Sequence, residues 1–291
     1  MIKIIKIFVL LFCFVCNAQA DTEEILSNIS NKISESVAEM IPGDGITEVS
    51  IELQEHQEPD FSILAVRDLN KTERSNFFTQ FSFRNDVVNG DERYIGNLGL
   101  GYRALTDDES TMFGANIFYD RDLVVHHQRM SFGLEARASV LEFSTNWYDG
   151  ITKEQTVSGT EELALSGLDF NLMTQIPHMP WTKFRWTSYE HRKGEAASDT
   201  EGDEYALELS LLPALQLDLS RDISNHADGN VYGATLNFVY PPLENKPTLL
   251  DGFITEEVWA KASMANHLSD KVQRNNTLIT EVQGSVIITS K

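Results

Sequence analysis

Ionisable and amide side chains recur in this 291-residue chain at every second position. In YIGNLGLGYRALTDDESTMFGANIFYDRD, residues 94–122, Asn97 and Arg103 alternate with Tyr94, Leu98, Leu100 and Tyr102. Beyond the acidic turn, Asn116 and Asp120 alternate with Phe113, Ala115, Ile117 and Tyr119. Glu135 and Arg137, then Glu142, Asp169, Lys183 and Arg185 continue the series. Acids and bases presented together on one face can tune a conducting pore or pair with one another across an enclosed space. A hydrolytic alternative is His126-His127 beside Asp120 and Asp122, the materials of an Asp/His-activated water. No second carboxylate–histidine set stands at a matching loop position, so a solvated loop is the plainer reading. The acidic run SDTEGDE, residues 198–204, offers oxygen ligands for weak Ca²⁺ binding but lacks EF-hand spacing, and it also reads as solvated. No catalytic, metal-binding or cofactor-binding set is expected.

Alternation with a period of two is the mark of a strand with unlike faces, so strands must carry these side chains. Twelve such segments are predicted between Ile46 and Tyr240: 46–54, 60–68, 77–84, 94–103, 113–120, 129–138, 141–148, 166–175, 181–191, 203–212, 214–222 and 231–240. In a soluble sandwich the apolar face would be the core. In a membrane barrel it would meet lipid while the polar face lined a lumen. Three features favour lipid. The strands approach the 9–11 residues that a tilted membrane strand needs. Tyr94, Tyr102, Tyr119, Trp147, Tyr148, Trp181 and Tyr240 recur at strand ends, where an interfacial girdle lies. The opposite face carries charges of both signs. Long polar connections such as 149–162, 191–204 and 223–230 alternate with tight ones, which predicts long loops outside and short turns on the periplasmic side.

The N-terminus sets the compartment. Lys3 and Lys6 precede an apolar run from Ile7 to Val15 and the small-residue site Ala18-Gln19-Ala20, the pattern of a cleaved secretory leader over 1–20. Both cysteines, Cys13 and Cys16, lie in that leader, so the mature chain is expected to have no disulfide and no thiolate site. Loss of the leader removes two lysines and no acids, taking the formal charge from −21 to −23. That balance speaks against a nucleic-acid partner, which requires a basic footprint. Residues 21–45 are predicted to form a periplasmic helical segment: Thr22 can cap, Ile25, Ile29, Ile33 and Val37 recur every four residues, and Pro42-Gly43 stops the helix.

After Tyr240 the prolines of PPLENKPTLLDG cannot continue a strand. ITEEVWAKASMANHLSDKV, residues 254–272, is predicted as a helix, with Thr255 as cap and Val258, Trp259, Ala262, Ala265 and Leu268 on one face. The β-branched residues from Thr277 to Thr289 favour an extended tail long enough to cross a membrane.

The run GNLGLGYRALTDDESTMFGANIFYDRDLVVHHQRMSFGLEAR, residues 96–137, resembles the translocator barrel of the inverse autotransporters, the intimin and invasin family. The resemblance rests on Leu98–Gly101, on Gly114 to Asp120, on Gly133-Leu134-Glu135, on SGLDFNL at 166–172, and on Val272, Arg274, Asn275 and Asn276 in DKVQRNNTLITEV. It implies an all-β, twelve-stranded antiparallel outer-membrane barrel over 46–240, with a linker over 241–291 that carries a plug helix at the periplasmic mouth and a pore-threading tail. It implies that the lumen-lining residues Asn97, Arg103, Asn116, Asp120, Glu135, Arg137, Glu142, Asp169, Lys183 and Arg185 hydrogen-bond the linker. Trp259, Val272, Arg274, Asn275 and Asn276 are the linker and plug residues, with the Arg274 triplet expected near the periplasmic mouth. The implied function is export of the chain's own C-terminal segment and anchoring in an adhesion-related role, with a passive outer-membrane pore or a structural barrel without export activity as the alternative. The implied partners are outer-membrane lipid and lipopolysaccharide, the barrel assembly machinery and periplasmic chaperones. A host or cell-surface receptor would join them only where a passenger exists. The family's extended passenger and peptidoglycan-binding module are expected to be lacking.

Overall fold

A computed structural model of the protein describes residues 41–55, 58–225, 230–282 and 285–287. The predicted leader and the helical segment up to Met40 lie outside the described residues. Among those residues, twelve antiparallel strands close into a barrel. They are β1 (Gly45–Gln54), β2 (Asp60–Lys71), β3 (Ser75–Val88), β4 (Asp91–Leu105), β5 (Thr111–Asp122), β6 (Gln128–Ala138), β7 (Leu141–Gly150), β10 (Gly167–Ile176), β11 (Met179–His191), β12 (Thr200–Leu212), β13 (Leu215–Ser224) and β14 (Asn230–Tyr240). Each pairs with its barrel neighbour in sequence, and β1 closes the ring on β14 from Thr47↔Tyr240 to Gln54↔Gly233. Closure leaves no unpaired sheet edge, the condition for crossing hydrocarbon with strands.

Burial is inverted relative to a soluble domain. Leu98 is 59% exposed and Phe113 57%, while Arg103, Asp120 and Arg129 are 0% exposed. Apolar residues therefore form the outer surface and charges the interior, as the alternation of β4 and β5 requires. The inward glycines of the Leu98–Gly101 motif make room. A Cβ on Gly99 would lie 2.4 Å from the Phe118 ring, and one on Gly101 would lie 2.3 Å from the Phe78 ring. Both phenyl groups lie flat against the wall because those positions have no side chain, which keeps the axis open.

Tight connections (72–74, 106–110, 139–140, 177–178, 213–214) gather at one end of the barrel, the turn end, together with the start of β1 and the end of β14. The other end, the loop end, departs from the expected lengths at one place. β3 and β4 are joined by Asn89-Gly90 alone, with φ of 53° and 83°, the two positive values of a tight primed hairpin turn. The connection 151–166, read from sequence as a polar loop, holds a further hairpin, β8 (Gln155–Val157) and β9 (Thr160–Ala164). It turns at Ser158-Gly159, again with positive φ at both positions (50° and 88°). Two tail strands, β15 (Thr280–Val282) and β16 (Ser285–Ile287), join it in the order β16-β15-β9-β8.

The predicted helix over 254–272 does not form. Only Met264–His267 makes a single 3₁₀ turn, and residues 254–263 run as irregular chain. The physical reason is competition for backbone groups. Thr255 donates to the His178 carbonyl at 2.9 Å, and His178 donates to that of Val258 at 3.0 Å. The Gln175 side chain brackets Ala260, donating to its carbonyl at 2.8 Å and accepting from its N–H at 3.1 Å. The rim of the barrel thus replaces intrahelical bonds with tertiary ones, overriding a modest helix propensity.

Candidate functional site

The interior of the barrel holds the chain's own C-terminal segment. Leaving β14, residues 241–267 run round the rim of the turn end. Leu243 donates to the Pro213 carbonyl at 2.7 Å, and Leu249 packs on Leu211, Leu212 and Leu215. Trp181 Nε1 then donates to the Phe253 carbonyl at 3.1 Å, and Met264 donates to that of Glu109 at 2.9 Å. Trp259, predicted as a plug residue, lies 37% exposed on this rim segment, so it fills no part of the lumen. Its place at the mouth is taken by Met264 and Leu268, buried against Leu105 and Met112.

From Leu268 the chain turns inward and is met by a ladder of wall side chains. Asn76 Nδ2 and Arg103 Nη1 each donate to the Leu268 carbonyl at 3.1 Å, and Arg103 also donates to that of Asp270. The Asp270 carboxylate accepts from Arg137 at 3.0 Å, from Lys246 at 3.2 Å and faces His267 Nδ1 at 2.7 Å. Val272 N–H donates to Gln80 Oε1 at 2.8 Å, and Asn146 donates to the Gln273 carbonyl at 3.0 Å. Asn275 N–H donates to the Tyr148 hydroxyl at 2.8 Å, while Arg129 donates to the Asn275 carbonyl at 2.8 Å. Asn97 Nδ2 donates to the Asn276 carbonyl at 3.1 Å. A chain segment threaded inside a barrel has no ladder partner, so side chains supply what a sheet would.

At the centre of this ladder Arg274 donates to Asp120 at 2.7 Å and to the Ser131 hydroxyl at 3.1 Å. Its guanidinium lies 4.2 Å over the centre of the Phe118 ring, the ring that Gly99 allows to lie flat. Asp120 also accepts from Arg129 at 2.8 Å and from Asn97 at 2.7 Å. One carboxylate therefore meets two guanidiniums and an amide, which neutralises the buried charge. The sequence placed the Arg274 triplet near the mouth where the linker enters. It sits instead toward the loop end, on Asp120 and Ser131, because Asp270 already occupies that mouth and the four residues between can advance up to about 13 Å. For the same reason the lumen is crossed by 268–276, not by the residues after Thr277.

All ten sequence-predicted lumen residues project inward. Arg103 pairs with Glu135 at 2.6 Å, Arg137 with Glu142 at 2.6 Å, and Lys183 with Glu142. Arg185 pairs with Glu204 at 2.7 Å and Glu208 at 3.0 Å. Asp169 accepts from the Tyr148 hydroxyl at 2.7 Å and from Asn146, and Asn116 is buried beside Gly133. Of these ten, Asn97 and Arg103 donate to tail backbone, while Asp120 and Arg137 pair with tail side chains. The sequence pattern sets Gln80 and Asn146 on polar faces without assigning them a role, and Arg129 was missed although its alternation with Met130 made it findable by register. Tyr148, expected in the interfacial girdle, is instead buried in the lumen, because its place in phase with Glu142, Ser144 and Asn146 turns it inward. Asp270 was hidden inside the predicted helix.

Past Asn276 the segment leaves the lumen. Leu278 packs on Ile95 and Ala164, Leu165 donates to the Ile279 carbonyl at 2.9 Å, and β15 pairs with β9 from Thr280↔Ala164 to Val282↔Glu162. The Glu281 carboxylate accepts the N–H groups of Gly194, Glu195 and Ala196 at 2.6–2.9 Å, tying the 192–199 connection to the tail. Beneath the hairpin, Glu162 pairs with Arg93 at 3.0 Å and lies 3.4 Å from His127 Nε2. His127 is thus buried, against the expectation of a solvated loop, and burial holds its pKa below the ordinary histidine value despite the Glu162 and Asp122 carboxylates. The SDTEGDE residues do not converge as ligands. Glu204 pairs with Arg185, and Asp203 accepts from Trp186 Nε1 at 2.9 Å.

Residues 16–276 match the family described as inverse autotransporter, beta-domain. Invasin of Yersinia enterocolitica is 29% identical over 144 residues, covering 47% of this chain and 16% of invasin. The inverse autotransporter adhesin YeeJ of Escherichia coli K12 is 25% identical over 224 residues, covering 73% of this chain and 9% of YeeJ. The chain therefore spans a small fraction of these two relatives. A chain solved in a study of the in-meso crystallization of membrane proteins superposes with a TM-score of 0.64 at 19% identity, over 81% of this chain and 99% of that one, a likeness of fold.

Proposed function

Since the chain belongs to the inverse autotransporter β-domain family, we propose that it is an outer-membrane translocator and anchor, not an enzyme, that exports its own C-terminal segment through its lumen. In this reading the turn end and the N-terminus are periplasmic, the leader is cleaved near Ala20, and β15 and β16 lie at the cell surface. Residues 268–276, threaded on wall side chains, are the observation that supports it most. Fully extended, the nine residues 268–276 would reach about 30 Å, more than an apolar band of about 25 Å. The crossing strand need not break any barrel hydrogen bond to pass, because its partners are side chains that can exchange with water. Export as a hairpin, driven by barrel assembly, would end when Arg274 meets Asp120 and β15 meets β9.

The partners in this reading are outer-membrane lipid and lipopolysaccharide at the rim, and the barrel assembly machinery and periplasmic chaperones on the way there. Adhesion, and any receptor, would belong to a passenger. An epitope tag after Lys291 should be labelled on intact cells by an impermeant antibody, and the same tag after Ala20 only once the outer membrane is opened. Labelling of the N-terminal tag alone would reverse the orientation and remove the export mechanism.

A further inference from the structure

The threaded segment does not fill the barrel. It hydrogen-bonds chiefly to the wall formed by β3 to β7. Beside it lie two cavities, of about 140 and 110 Å³. The larger is lined by β1 to β3 and β10 to β14 toward the loop end, and the smaller by β1, β6, β7 and β10 to β14 and by the rim residues Asn245, Pro247 and Ala260. A water needs about 10–15 Å³ of such space and two to four polar partners, so each cavity holds several waters. Both are bordered by Glu48, Glu208, Lys271 and Gln273, so they meet across these four side chains.

One contact bridges the gap there. Lys271, on the threaded segment, reaches across to β1 and donates to both oxygens of Glu48, at 2.7 and 2.8 Å. Among the described residues, the larger cavity has six carboxylates on its lining, Glu48, Glu52, Asp169, Glu204, Glu208 and Asp218, against four cationic side chains. The smaller is balanced, with Glu48, Glu142, Glu208 and Asp270 against Arg137, Lys183, Lys246 and Lys271. The surplus acid of the larger cavity favours cations, because low-dielectric walls strengthen the field of its lining.

We propose that the open half of the lumen conducts small cations beside the threaded segment, and that the Lys271–Glu48 pair is the constriction that limits the current. The inference rests on the threaded arrangement but goes beyond export. It assigns a permeation function to space the linker leaves free. Lys271 obstructs in two ways, placing a positive charge in the path and spanning its width. Removing it joins the two cavities and leaves Glu48 to attract cations. Replacing Glu48 with glutamine keeps the width and removes an acid, so it should lower cation preference without enlarging the path.

The test is planar-bilayer recording of the refolded full chain in symmetric KCl and across a KCl gradient. The wild type should pass a small current with a potassium-selective reversal potential. Lys271→Ala should raise conductance by at least about twofold and move the reversal potential further toward potassium. Glu48→Gln should shift the reversal potential toward zero. Heat-modified gel migration, and access to a tag after Lys291 in cells, establish that each variant is folded and threaded. Unchanged conductance and reversal potential in Lys271→Ala, in protein that passes both checks, overturns the proposal. A barrel lacking 254–291 serves as the reference for an empty lumen. If its conductance equals that of the full chain, the threaded arrangement itself has failed, which is a separate result.

Discussion

Arg274→Ala offers the sharpest test of how the linker is held. The substitution removes three hydrogen bonds, to Asp120, Ser131 and Asn276, and the contact over Phe118. A hydrogen bond to a charged group contributes about 1.5–3 kcal/mol net, and a cation–π contact about 0.5–2 kcal/mol. Breaking a buried ion pair costs about 3–5 kcal/mol when the remaining charge is stranded. Asp120 keeps Arg129 and Asn97, so the lower end of that range applies. Local release of the segment should then become easier by about 3 kcal/mol, or some two decades in its opening equilibrium at about 1.4 kcal/mol per decade. Amide hydrogen exchange on the detergent-purified barrel reads this directly. Val272 and Asn275 donate their N–H groups to wall side chains, so both should lose protection together while barrel strands do not change. Arg274→Lys keeps the charge but loses the planar fork and should fall between the two. Protection in Arg274→Ala within about threefold of wild type would refute the idea that this residue sets the register, since that corresponds to well under 1 kcal/mol.

Other variants separate the two faces, the exit and the pH response. Leu98→Arg places a charge on the lipid face and should impair assembly by roughly 2–4 kcal/mol, seen as loss of the folded species on semi-native gels. Asn97→Arg, one residue away, should assemble but displace the linker at Asn276, increasing the labelling of a cysteine placed at Thr277; normal assembly of both variants would contradict the membrane reading. Glu281→Ala removes the acceptor for three N–H groups and should open the 192–199 connection to protease at the cell surface, leaving barrel migration unchanged. Burial holds the His127 pKa lower in the folded protein than in the opened form, so the opened form binds more protons in acid. Stability of the β8–β9 sheet should therefore fall as pH drops below about 6.5 and on through the lower folded value. His127→Gln should flatten that response in hydrogen exchange of residues 155–164, and an identical slope in the variant would exclude His127 as its source.

The wall of the barrel was legible because it obeys a local rule. In β4 the apolar side chains Tyr94, Leu98, Leu100 and Tyr102 point outward and Asn97 and Arg103 inward, and nothing beyond the pleat is needed to derive this. The motif residues Gly99 and Gly101 were recognised as a resemblance, whereas their physical purpose needed Phe118 and Phe78, contributed by neighbouring strands. The rim segment was misread because periodicity at 254–272 satisfies a helix rule. Glu109, Gln175 and His178, distant in sequence, take its backbone bonds instead.

By itself, the sequence determined the period of two, the face on which every strand carries its charges, the number of barrel strands, and a tail able to extend. These follow from the pleat and from the solvents each face can tolerate, both of which act residue by residue. Only the tertiary structure decided which residues of the tail stand at which height. That register comes from long-range pairs such as Arg274 with Asp120, Lys271 with Glu48 and Thr280 with Ala164, and closing the barrel brings each pair together. No local propensity encodes a meeting between residues more than a hundred positions apart. Such meetings arise when the chain closes on itself and a stranded charge or an unpaired amide would cost more than any alternative register.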